Sequence, residues 1–203
     1  MTRAIQTQYK GYFFRSRLEA RWAVFFDHLG VRYQYEPEGF NLGESGYYLP
    51  DFYLPDINGG LWVEIKPVPP NDTEIDKLWA LCKATGKQAT FRVGEPAGNF
   101  LCLEDDHCFS DSYFYGDQCA VYTYQTECED GNPWGQDLPY LFCICLDCGR
   151  VGFEFDGRGA RVCGQQCYPD SDKEYSADNW RIVEAAKAAR SARFEHGHQG
   201  ASR

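Results

Sequence analysis

The segment Tyr48-Leu49-Pro50-Asp51-Phe52-Tyr53-Leu54, followed by Pro55-Asp56-Ile57-Asn58-Gly59-Gly60 and then Leu61-Trp62-Val63-Glu64-Ile65-Lys66, constrains the fold more than any other part of the chain. Two short apolar runs flank a turn rich in Pro, Asn and Gly, so the segment reads as a β-hairpin. Pairing Leu54 with Leu61 sets an antiparallel register in which Asp51 falls opposite Glu64, and Lys66 lies two residues further along the same face. Two carboxylates and an ammonium then share one patch. Hard oxygen ligands a few ångströms apart suit Mg2+ or Mn2+, and a neighbouring lysine can stabilise developing phosphoryl charge or lower the proton affinity of water held by the ion. The plainer reading makes Asp51 a turn residue after proline and puts Glu64 and Lys66 on the solvated face of an edge strand.

The patterns on either side define the elements that carry this hairpin. Leu18, Trp22, Phe25, Phe26 and Leu29 fall on one helical stripe, with Ser16 as its start signal and Gly30 as its stop. Residues 31–35 read as a strand of β-branched and aromatic residues. After the hairpin, Asn71 or Asp72 caps a second helix whose apolar face is Ile75, Leu78, Trp79 and Cys82, and Gly86 closes it. Residues 88–93 alternate polar positions with Ala89, Phe91 and Val93, as a half-buried strand does. The predicted order is α-β-β-β-α-β. A helix that crosses over to a parallel strand is right-handed, so the expected class is α/β (α+β), a mixed sheet with helices packed against it.

Pro50-Asp51, a spacer and Glu64-Ile65-Lys66 resemble the signature of the PD-(D/E)XK nuclease superfamily. Glu19, in Phe14-Arg15-Ser16-Arg17-Leu18-Glu19, matches the further carboxylate that several branches carry on a preceding helix. The resemblance spans the front half of the chain and implies a restriction-endonuclease-like αβββαβ core. It also implies metal-dependent hydrolysis of DNA phosphodiester bonds. Asp51 and Glu64 would hold one or two Mg2+ (or Mn2+) ions, the Ile65 carbonyl would complete the shell, Lys66 would orient or activate the attacking water, and Glu19 would be an auxiliary ligand. Ser16-x-x-Glu19 is also a capping box, whose hydrogen bonds account for Glu19 without any catalysis.

Ten cysteines in a chain without an apolar export segment point to metal binding or free thiols rather than disulfides. Cys145-Leu146-Asp147-Cys148-Gly149 is a zinc-knuckle pattern, a turn in which two thiolates converge and glycine relieves the backbone. Cys163-Gly164-Gln165-Gln166-Cys167 follows. Four thiolates in two pairs, with 151–155 and 160–162 as strands between them, make a tetrahedral Zn2+ site and resemble a zinc ribbon. Cys143 competes for one ligand position, and the second pair has three intervening residues where two are more usual. Cys82 reads as a small buried hydrophobe. Cys102, Cys108, Cys119 and Cys128, with His107, are either buried thiols or a second metal set. None of His28, His107, His196 or His198 sits in a recognisable nucleophile context, which argues against a Cys/His hydrolase.

A formal net charge of -10 opposes nucleic-acid binding, which Lys and Arg dominate. The front of the chain reverses the sign: residues 1–35 carry Arg3, Lys10, Arg15, Arg17, Arg21 and Arg32 against Glu19 and Asp27. A basic first helix beside a carboxylate site offers a surface that tracks phosphates. Acidic residues concentrate at 104–106 and 127–130 within an aromatic stretch, read either as packing of a connector or as a platform for unpaired bases. A last helix starts at Ser176 or Asp178 and runs to about Phe194, with Trp180, Val183, Ala186 and Ala189 inward, and 196–203 form a frayed tail. The expected organisation is a nuclease core over 1–95, a connector over 96–139, a zinc-ribbon-like module over 140–170 and a C-terminal helix and tail over 171–203. No segment reads as a signal peptide or membrane span, so a cytoplasmic protein without a membrane partner is expected.

These residues lead to the expectation of a Mg2+-dependent deoxyribonuclease acting on duplex or branched DNA. An isologous homodimer, one subunit for each strand, is a further partner hypothesis. Two readings from other classes stand beside it. One is a non-catalytic DNA-binding or assembly subunit of a recombination, transposition or phage-defence system, keeping the fold as a scaffold. The other is an acidic adaptor or inhibitor whose middle segment binds a basic protein.

Overall fold

The computed structural model describes residues 4–96, 121–122, 140–155, 160–163 and 179–194. Most of the expected connector, with Cys102, His107, Cys108, Cys119 and Cys128, lies outside these residues, as do Cys167 and the tail at 196–203.

A hairpin of β1 (Thr7–Tyr9) and β2 (Tyr12–Phe14) leads into helix α1 (Arg17–Leu29). The helix starts where Ser16 Oγ accepts the Glu19 N–H at 3.1 Å, and it ends at Gly30, whose φ of 71° costs a residue without Cβ little. The Val31 N–H is spent on the Phe26 carbonyl in closing that end (2.9 Å). This is why the strand expected over 31–35 is shorter: β3 is Gln34–Tyr35. A small hairpin, β4 (Phe40–Asn41) and β5 (Tyr47–Tyr48), folds around a single 3-10 turn at Gly43–Ser45.

The expected central hairpin forms with β6 (Phe52–Leu54) and β7 (Leu61–Lys66), and Leu54 pairs with Leu61. Its turn needs positive φ at Asn58, Gly59 and Gly60, and a side chain at Gly60 would collide with the Tyr53 ring. Helix α2 (Asp72–Thr85), begun by a full capping box between Asn71 and Glu74, carries the chain over to β8 (Gln88–Val93), parallel to β7. With β9 (Val121–Tyr122) the sheet order is β3-β6-β7-β8-β9, antiparallel at every junction except β7 to β8. The fold is therefore mixed α and β, with a mixed sheet and helices against it.

Both faces of this sheet are covered. On one face Leu61, Val63 and Ile65 join Trp22, Phe25, Phe26 and Leu29 of α1, while on the other Trp62, Ala89 and Phe91 meet Leu78, Leu81 and Cys82 of α2. Strand β8 was expected to be half-buried, yet Ala89, Thr90, Phe91 and Arg92 are all buried. Arg92 is accommodated because its guanidinium lies 5.4 to 5.8 Å from the ring centres of Trp22, Phe142 and Phe153.

Two of those rings belong to a later hairpin, β10 (Tyr140–Ile144) with β11 (Val151–Phe155). Phe142 and Phe153 sit in the same core as α1, and Asn58 in the central turn donates to the Phe153 carbonyl at 2.5 Å. Residues expected as a second ribbon strand are instead a short helix, α3 (Ala160–Cys163). The last described helix, α4 (Trp180–Ser191), is capped by Asn179 rather than Ser176 or Asp178. It packs on α1 through Ile182, Ala185, Ala186 and Ala189, small side chains that allow close approach. Trp180, expected inward, is 71% exposed, because the stripe that meets α1 begins at Ile182. Among the described residues no helix is long and apolar enough to cross a membrane.

Candidate functional site

Beyond the last regular pair of the central hairpin, Phe52 with Val63, two side chains continue the ladder. The Asp51 N–H donates to Glu64 Oε2 (3.3 Å), and the Ile65 N–H donates to Asp51 Oδ2 (2.7 Å). The two acids are thus interlocked, each carboxylate held by the other strand's main chain, and both are buried. Burial above all, then the charges of Glu64 and Glu19, push the Asp51 carboxyl up to about 8 against the pull of Ile65 and Arg15. Glu64 is also raised, by burial, in spite of Lys66.

Lys66 lies on the same face, as the register requires. Its Nζ is 3.1 Å from Glu64 Oε1 and 2.8 Å from Glu74 Oε1. Burial works against its charge, but the contacts with Glu74 and Glu64 outweigh burial and raise its pKa, so it is an ammonium at neutral pH. The Tyr48 hydroxyl closes this side, its own pKa raised by burial and then by the Glu64 charge.

Arg15, in the short link between β2 and α1, reaches the opposite side. Its Nη2 donates to Asp51 Oδ1 at 2.6 Å, and its Nε is 2.6 Å from Glu36 Oε1. Glu19 is brought close enough for its charge to raise Asp51. Its carboxylate is occupied by three donors: Ser16 Oγ (2.6 Å), Tyr35 Oη (2.6 Å) and the Arg15 N–H (3.1 Å). The expected capping box is therefore altered. Ser16 caps the Glu19 N–H, but Glu19 reaches Arg15 and Tyr35 in place of the Ser16 N–H.

Sequence reasoning placed Asp51, Glu64, Ile65 and Lys66 together, and they are together. It did not assign Arg15, Tyr35, Glu36, Tyr48 or Glu74 to the site. Asn71-x-x-Glu74 was a readable capping box, but nothing local marks Tyr35 or Glu36, which arrive on β3 and the turn after it. The basic face expected at the front of the chain is largely matched by its own carboxylates. Lys10 pairs with Asp27, Arg15 with Glu36 and Asp51, Arg21 with Glu95, and Arg32 with Asp56.

A second constellation lies at the far end of β10. The Cys145 carbonyl accepts the Gly149 N–H (2.8 Å) and the Cys145 N–H donates to the Arg150 carbonyl (2.9 Å), with Gly149 at φ 70°. This tight turn brings Cys145 and Cys148 to one side, and Cys163 at the end of α3 completes a trio whose sulfurs all lie within 4.8 Å of one another. Three thiols so placed can hold a metal ion. Cys143 is not one of the trio; it lies on β10 opposite Gly152, and burial pushes its thiol up to about 12. Among the described residues no other set of three His, Cys, Asp or Glu side chains brings its ligand atoms this close together. Arg181 ties the turn to the rest of the fold, donating to the carbonyls of Gly149 (3.1 Å) and Leu29 (3.3 Å).

Comparison of the chain with protein-family models, with curated proteins and with solved structures gives no match in any of the three.

Proposed function

We propose that this protein is a metal-dependent nuclease of the PD-(D/E)XK type that hydrolyses DNA phosphodiester bonds, built on a restriction-endonuclease-like core. The observation that carries the reading is the interlocked pair of Asp51 and Glu64 with Lys66 clasped beside it. Asp51 is raised by burial and by the Glu64 charge, and Glu64 by burial, so both acids ionise fully only with a cation beside them, and an all-oxygen donor set suits Mg2+ or Mn2+. Asp51 and Glu64 would hold the ion, with the Ile65 carbonyl as a third oxygen. Bound there, it supplies positive charge against the phosphate and hydroxide near neutral pH.

Lys66, kept protonated by Glu64 and Glu74, donates hydrogen bonds to the attacking water or to a phosphate oxygen; it does not take the proton. Glu74 holds that ammonium in place. Glu19 acts on Asp51 through its charge and positions Tyr35 and Arg15. The thiol trio fits Zn2+, with Cys167 as the expected fourth ligand, in a structural or DNA-docking role, since a closed thiolate site has no open position for chemistry.

The test is cleavage of plasmid, linear duplex, single-stranded and branched DNA with Mg2+ or Mn2+ by wild type, Asp51→Ala and Lys66→Ala. Cleavage by wild type alone is expected. Cleavage that survives both substitutions rejects this site. DNA binding without cleavage supports the second reading, a non-catalytic DNA-binding subunit, which the Arg15 to Asp51 pairing favours because a side chain already supplies a cation there.

A further inference from the structure

We propose that Arg15 is a displaceable counter-ion of the carboxylate pair: a divalent cation and Arg15 are alternative partners of Asp51 Oδ1, and the cation releases the guanidinium to the substrate's phosphate. This rests on the metal-site reading above. Asp51 Oδ2 is committed to the Ile65 N–H inside the sheet, so Oδ1 is the oxygen that faces an incoming ion. Arg15 Nη2 sits on that oxygen at 2.6 Å.

The two partners differ in freedom. The Arg15 side chain is 53% exposed and the Asp51 side chain 4%, so the guanidinium is the one that can move. An ion pair with one partner half in water is screened and weak. A divalent ion carries twice the charge and faces the same oxygen. The wider cluster favours it too, since among the described residues five carboxylates, Glu19, Glu36, Asp51, Glu64 and Glu74, gather around Arg15 and Lys66, with Lys77 acting by its charge on Glu74 alone. Lys66 is less suited to leave, being 21% exposed and held by two carboxylates. Glu36 keeps Arg15 at the mouth after it leaves Asp51, through Nε and through the Glu36 N–H bound to the Asp51 carbonyl (2.8 Å). A guanidinium tethered at the rim of a phosphodiesterase site meets the substrate's phosphate with a forked donor.

Calorimetric titration of the full chain with Mn2+, without DNA, tests the displacement on wild type, Arg15→Met, Arg15→Lys and Asp51→Asn. Arg15→Met is expected to bind Mn2+ about tenfold tighter than wild type, Arg15→Lys to stay near wild type, and Asp51→Asn to lose binding. Binding of a fluorescent duplex then reads the second half. In Ca2+, Arg15→Met should bind DNA about tenfold more weakly than wild type, and in EDTA the two should bind alike. If Asp51→Asn loses Mn2+ while Arg15→Met binds it no tighter than wild type, the metal site stands and the displacement is overturned. If wild type and all variants ignore Mn2+, both fall. Equal loss of DNA affinity in Ca2+ and in EDTA overturns the release of Arg15 to phosphate. Should Arg15→Met not fold, Arg15→Gln carries the same comparison.

Discussion

Lys66 Nζ lies 2.8 Å from Glu74 Oε1, and the other oxygen of that carboxylate, Oε2, accepts the Asn71 N–H at the start of α2 (2.9 Å). One side chain thus caps a helix and fixes the ammonium of the candidate site. Glu74→Gln keeps an acceptor for the cap and removes the charge that holds Lys66. The expected outcome is a melting temperature close to wild type, a turnover rate about tenfold lower, and a basic limb of the pH–rate profile moved to lower pH, because Lys66 loses a partner that raises its pKa. A profile that does not move would leave Glu74 with the cap alone.

Asp51 makes stability depend on pH. Its folded-state value, about 8, stands above the ~4 of an unfolded aspartate, so between those values the folded chain holds a proton that the unfolded chain has released. The associated stability is complete below about pH 4 and is lost as pH rises through about 8. Melting curves in EDTA should therefore show a fall between these limits that Mn2+ reduces and Asp51→Asn flattens. An Asp51→Asn protein with the wild-type slope would contradict the origin assigned to it.

The later hairpin is bound into the core through Phe142, whose ring lies within 6.5 Å, centre to centre, of Trp22, Phe25, Phe26 and Phe153. Phe142→Ala should cost about 3–5 kcal/mol. In a denaturant titration followed by tryptophan fluorescence, the loss should appear in one transition with the sheet. A separate early transition that leaves the sheet folded would count against this coupling.

Metal content separates the thiols. Zinc measured by elemental analysis should be present in wild type and Cys143→Ser, and lost from Cys148→Ser and Cys163→Ser, since those two sulfurs are 3.0 Å apart and Cys143 is outside the trio. Loss from Cys167→Ser would assign the fourth ligand. Retention of zinc by Cys148→Ser and Cys163→Ser together would remove the thiol site.

Much of this arrangement is legible in the amino-acid sequence. The pairing of Leu54 with Leu61, and with it the meeting of Asp51 and Glu64, follows from a short loop and a period of two. Ser16, Gly30, Asn71 and Gly86 mark the helix ends because caps are local chemistry. The turn at Cys145 to Gly149 is local in the same sense. Arg15 on Asp51 was not legible, for the two are 36 residues apart and meet only because β2, α1 and β6 share a core. Nor was the burial of Thr90 and Arg92, which depends on what covers the far face of the sheet.

The amino-acid sequence by itself determined the central hairpin, its register and the helices on either side, since these depend on neighbours along the chain. Only the tertiary structure decided which charges close around Asp51 and Glu64, which thiols converge, and that Trp180 faces solvent. Those outcomes depend on the packing of elements distant in sequence, where burial and charge pairing, rather than local period, select the partners.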